Sequence, residues 1–111
     1  MGVTKTDKFT SEQNELALLF KALGHPARIA IIEFLVKQES CICGDIVNEL
    51  TLAQPTVSQH LKELKNAGLI KGTIEGTSIC YYLDESKIEQ IVTYLNVLKT
   101  NKIERITNYC N

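Results

Sequence analysis

No run of about eighteen apolar residues, the length needed to cross a membrane as a helix, occurs in the sequence. The longest apolar stretch, 30–36, is broken by Glu33. Met1 to Thr10 lack the apolar core of a secretory signal, which predicts a flexible polar tail over 1–10 and a cytoplasmic protein with no membrane partner. Excess charge is also missing. Twelve basic residues against thirteen acidic ones leave a net charge of −1, which argues against a uniformly basic, nucleic-acid-coating surface. No internal repeat or low-complexity linker divides the 111 residues, and a chain this short has too little material for two cores. One domain over 11–111 is expected. Histidine is confined to His25 and His60, which makes a four-ligand zinc site hard to fill. No nucleophile elbow or cysteine-protease signature surrounds any serine or cysteine, so nothing predicts an enzyme.

What is present is helical periodicity. Ser11 can cap a helix whose Leu16, Leu19, Phe20 and Leu23 share a face. Gly24 ends it and Pro26 opens a second, in which Ile29, Ile32, Leu35 and Val36 repeat at helical spacing and are expected in the core. Asp45 to Leu50 is expected as a short third helix. Pro55 then sits in the first turn of a fourth, with an apolar stripe of Val57, Leu61 and Leu64, and Gly68 closes it. Two β-rich runs follow, Leu69 to Ile74 and Ser78 to Leu83, joined by Glu75-Gly76-Thr77 as a hairpin. From Glu85 a last amphipathic helix carries Ile88, Ile91, Val92, Leu95 and Leu98, its pattern weakening after Asn101. The expected fold is mainly α with a β-hairpin wing, four helices before the hairpin and one after it.

Helix, three-residue turn, helix and hairpin is the order of a winged helix-turn-helix, whose second helix enters the major groove of DNA. The positive charge that exists gathers there, because residues 54–72 carry Lys62, Lys65 and Lys71 against Glu63 alone. With Val57, Leu61 and Leu64 inward, Gln59, Lys62 and Asn66 turn outward and Thr56 and Ser58 flank them. Thr56, Ser58 and Gln59 have the donors and acceptors to read base edges, and Lys62 suits a phosphate or guanine. His60 falls near the apolar stripe, as a packed residue or a phosphate contact. The competing reading is an ordinary amphipathic helix with a solvated face, which its place between a short helix and a hairpin disfavours.

Leu23-Gly24-His25-Pro26-Ala27-Arg28, Gln54-Pro55-Thr56-Val57-Ser58-Gln59-His60-Leu61, Leu64-Lys65-Asn66-Ala67-Gly68-Leu69-Ile70 and Tyr81-Tyr82-Leu83 carry a close resemblance to the ArsR/SmtB family of metal-responsive bacterial repressors. The resemblance covers 16–83. It implies a homodimer, paired through its first and last helices, that binds double-stranded operator DNA when free of effector and releases it when a metal or metalloid binds. Two departures stand out. Ala53 replaces the serine that usually caps the reading helix, and the wing tip carries Glu75 rather than a basic pair.

Four cysteines, Cys41, Cys43, Cys80 and Cys110, are expected as thiols in a reducing cytosol, which favours metal or redox chemistry over a disulfide framework. Cys41 and Cys43, at i and i+2, can face the same side of an extended segment and reach one soft ion. Many family members carry a Cys-x-Cys-Asp metal motif here, but Gly44 intervenes before Asp45 and shifts the register. Residues 87–98 contain Glu89 and no histidine, so the zinc site that some relatives place on the last helix is missing. Soft thiolates suit arsenite, cadmium, lead, copper(I) or zinc, and arsenite, bound by three thiolates, fits the supply better than zinc, with Cys110 as the expected third ligand and Cys80 outside the site. No obligatory cofactor is expected. A thiol-based redox or persulfide sensor of the same fold is the alternative, and simple packing of buried cysteines is the plainest one.

Overall fold

Thr10, one residue before the expected cap, starts the first helix. Its Oγ1 accepts the Gln13 N–H at 3.0 Å while its own N–H donates to Gln13 Oε1 at 3.0 Å, a reciprocal box that satisfies two otherwise orphaned donors. The structure, a computed structural model, describes residues 8–37, 50–76 and 78–109. Helix α1 spans Ser11–Leu23 and buries Leu16, Leu19 and Ala22. Leu23 is half-buried and Phe20 lies exposed at the edge of that face.

Helix α2, Pro26–Lys37, buries Ile31 and Leu35. Ile29 and Val36, expected in the core, are exposed. The helix is apolar nearly all round, so a stripe at helical spacing can be drawn on more than one face, and only packing selects one. The third expected helix lies outside the described residues except for Leu50, which is helical and packs on the core. Helix α3, Gln54–Asn66, buries the expected Val57, Leu61 and Leu64 together with His60.

The end of α3 fixes the hairpin. Gly68 has φ +87°, the Gly68 N–H donates to the Lys65 carbonyl and the Leu69 N–H to the Leu64 carbonyl, both at 3.0 Å. This is a Schellman closure, and its apolar partners Leu64 and Leu69 are both fully buried. Leu69 is thereby spent on the helix, and strand β1 begins one residue later than expected, at Ile70–Glu75. It pairs antiparallel with β2, Ser78–Leu83, in the register Ile70 to Leu83 and Ile74 to Ile79, around Gly76 at φ +65°.

Asp84 opens helix α4, Glu85–Tyr109, by accepting the Ser86 N–H and hydroxyl at 3.0 and 2.6 Å. The helix runs unbroken past Asn101, a length of about 37 Å at the α-helical rise. One core joins all these elements, with Leu19, Ile31, Leu64, Ile70 and Ile91 each contributed by a different one. Among the described residues there are four helices and one hairpin, and no helix is long and apolar enough to cross a membrane.

Candidate nucleic-acid interface

Helix α3 starts without side-chain help. Ala53 makes no cap bond, its carbonyl alone accepting the Val57 N–H at 3.1 Å, and Pro55 in the first turn removes one donor that would need a partner. Burial of Val57, His60, Leu61 and Leu64 then fixes the rotation of the helix, and Thr56, Ser58, Gln59, Lys62 and Asn66 are all exposed, as the spacing requires. Lys62 and Lys65 stand on this open side as cations. Gln59 is partly committed: its Nε2 donates to Glu63 Oε2 at 3.0 Å, one turn along, leaving Oε1 as the free acceptor.

At the base of the hairpin Lys71 Nζ lies 3.7 Å from Asp84 Oδ2. The Ser86 hydroxyl above all holds the Asp84 carboxyl below the usual carboxylate range, with help from the Ser86 N–H and Lys71. One pair below the tip the hairpin exposes apolar side chains, Ile74 and its cross-strand partner Ile79. Gly72 gives room for this strand pair: a Cβ there would come within 3.3 Å of the Tyr81 ring and 3.2 Å of Ile79.

A short helix with one polar outer face, closed by glycine onto a two-stranded hairpin, has counterparts in known proteins. Residues 25–71 match the family described as bacterial regulatory protein, arsR family. A cadmium resistance transcriptional regulatory protein of Staphylococcus aureus is 36% identical over 93 residues, covering 81% of this chain and 76% of that one. The chain belongs to the ArsR family. The arsenical resistance operon repressor of S. aureus is 30% identical over 87 residues, 78% of this chain and 83% of its own. An ArsR-like transcriptional regulator from Rhodococcus shares the fold, with a TM-score of 0.76 over 89% of this chain and 92% of that one at 20% identity. The ArsR winged helix-turn-helix is therefore the architecture of this protein.

The expected effector residues Cys41, Cys43 and Cys110 lie outside the described residues. Cys80 lies within them. It is fully buried in β2, although Lys71, Thr73 and Tyr82 on the same face of the hairpin are exposed, and it is disulfide-bonded. Among the described residues no group of three or more histidine, cysteine or acidic side chains is placed to hold a metal ion.

Local spacing did not reveal a second constellation, behind α3. His25 caps α2 with its ring, Nδ1 accepting the Ala27 N–H at 3.0 Å, and its ring centroid is 4.4 Å from that of His60. Arg28 Nε donates to His60 Nδ1 at 3.2 Å. The family resemblance includes all three residues, but their meeting spans 32 positions of sequence and only the fold brings it about.

Proposed function

We propose that the protein is a dimeric transcriptional repressor. It binds double-stranded operator DNA through Thr56, Ser58, Gln59 and Lys62 of α3 and leaves when a thiophilic effector, arsenite first, engages Cys41, Cys43 and Cys110. The observation that carries this reading is the outer face of α3, exposed, polar and cationic, on a helix whose rotation is locked by four buried side chains. In this reading the protein is cytoplasmic, catalyses no reaction and has no obligatory cofactor. The arsenical and cadmium names of two relatives support a soft ion, and three thiolates suit arsenite.

The test is fluorescence anisotropy of the reduced protein on its own promoter duplex and on a random duplex, with arsenite titrated into each. Preference for the promoter is expected, with release on arsenite. Coupling between effector and DNA is typically about 1–3 kcal/mol. Cys41→Ser and Cys43→Ser proteins should bind the promoter and stay bound when arsenite is added. Equal affinity for both duplexes sinks the operator reading, and release from both cysteine variants sinks the assigned site.

A second reading, thiol oxidation as the signal, is favoured by the disulfide at Cys80. It expects a disulfide oxidant to change promoter affinity in the parent and not in Cys80→Ser, with arsenite inert in both.

A further inference from the structure

Among the described residues, His60 is the buried polar side chain of the core, and it belongs to the helix that presents the reading face. Its Nδ1 accepts from Arg28 Nε, at 3.2 Å. The same guanidinium reaches back to the last turn of α1, its Nη1 lying 3.3 Å from the Ala22 carbonyl and 3.5 Å from that of Lys21. Arg28 itself sits in the first turn of α2. One side chain therefore ties the end of α1 and the start of α2 to the middle of α3.

The chemistry of this joint is one-sided. A guanidinium can only donate, so His60 must offer a bare Nδ1 and carry its proton on Nε2. His25 is under the same constraint, because its Nδ1 accepts the Ala27 N–H. A proton arriving on His60 Nδ1 sets two donors against each other and leaves a cation between Arg28 and the His25 ring.

Resting on the reading of α3 as the operator-binding helix, we propose that Arg28, His60 and His25 form a proton-sensitive positioning joint. With His60 neutral, the joint holds α3 at the angle that enters operator DNA; with His60 protonated, α3 is unseated. None of the three touches DNA in this role. They act through the residues on the opposite face of the helix.

The surroundings set the pH range. Burial first, then His25 and Arg28, push the His60 ring below the ordinary histidine value of 6.5, and Glu63 on its own helix pulls the other way. From α1 come carbonyl groups on Arg28, and Lys21 lines the same cleft of about 280 Å³ as Arg28 and Glu63. From β1 the cation Lys71 is turned to Asp84. The joint is closed at neutral pH and opens in mild acid.

The experiment measures the ratio of promoter to random-duplex affinity from about pH 7.5 down to about pH 5 at fixed ionic strength, for the reduced parent, Arg28→Lys and His60→Asn. Taking the ratio removes the general tightening of DNA binding as a protein gains charge. For the parent it should be constant near neutrality and then fall by up to about tenfold per pH unit below the His60 pKa. Asparagine offers a non-titrating acceptor near the place of Nδ1, so His60→Asn should keep its ratio in acid where the parent loses it. Arg28→Lys replaces a fork with a point donor and should lower the ratio at every pH.

Imidazole nitrogen NMR of the parent, which needs no variant to fold, should find His60 as the Nε2–H tautomer. A parent ratio independent of pH, an unchanged pH dependence in His60→Asn, or a His60 protonated on Nδ1 at neutral pH each overturns the joint. A parent that fails to prefer its promoter at neutral pH overturns the operator reading itself, and the inference with it.

Discussion

Gly68 occupies a backbone conformation that costs an L-residue about 1–2 kcal/mol, and nothing nearby would offset that cost. The nearest atoms a Cβ there would meet belong to the flexible Lys87 side chain, Cε at 3.3 Å with Cγ and Cδ at 3.9 and 4.0 Å, so the strain is almost all in the backbone. Gly68→Ala should lower stability by roughly 1–2 kcal/mol, read from the denaturant midpoint at unchanged m-value. His60 acts on stability through protons. Its folded pKa lies below 6.5, so just below that pH the unfolded chain binds more protons than the folded one. Stability from His60 is complete above pH 6.5 and is lost as pH falls toward the folded value. Urea melts across this range should show a shallower pH dependence in His60→Asn than in the parent; an identical slope contradicts the assignment. Arg28, His25 and His60 could all be picked out in the sequence, but no spacing rule states that residues 25 and 60 touch.

At the scale of the element, α3 was the most legible part of the chain. Its stripe had one possible inward face, Pro55 and Gly68 marked its ends, and the exposed set agrees side chain by side chain. Helix α2 was not legible in this way, because a helix apolar on every side contains its buried face without specifying it. The cysteine pattern pointed to chemistry without geometry: the β2 alternation separated Cys80 from Ile79, Tyr81 and Leu83 but could not say that it is buried and bonded. Within α3, Gln59→Ala should cost about 1–3 kcal/mol of discrimination among operators, while Lys62→Ala should weaken all duplexes and flatten the salt slope by about one unit. Glu63→Ala releases the Gln59 amide from its bond along the helix. It should change which base Gln59 prefers more than it changes non-specific affinity, as read by binding to a panel of single-base operator variants.

The whole molecule is longer than its size requires. Its radius of gyration is 17.5 Å and its long dimension 60 Å, against about 13 Å for the radius of a compact chain of this length. The long helix α4 meets α1 through the tilted rings of Phe20 and Tyr94 and a 3.3 Å bond from Gln90 to Glu15. Val92, Leu95 and Leu98 are left exposed on α4, and Leu18 and Phe20 on α1. Under the proposed function a second copy covers these faces, and two copies would set two α3 helices against the two halves of an inverted repeat. Leu95→Glu should give a monomer in sedimentation equilibrium and weaken binding to a two-half-site duplex far more than to a single half-site. A dimer that survives both Leu95→Glu and Leu98→Glu removes α4 from the interface.

Leu69 is the residue through which these scales connect. Its N–H closes α3 on Leu64, and its carbonyl accepts the Asp84 N–H at 2.9 Å where α4 begins. The hairpin between them can therefore bend as a cantilever while its root stays clamped at both sides. Amide exchange should show this as a gradient, with the Leu69 and Asp84 protons lost only on global unfolding and those toward Gly76 lost in local openings. Any torque on the long helix α4 therefore arrives at α3 across a single residue, Leu69, with no flexible linker to absorb it.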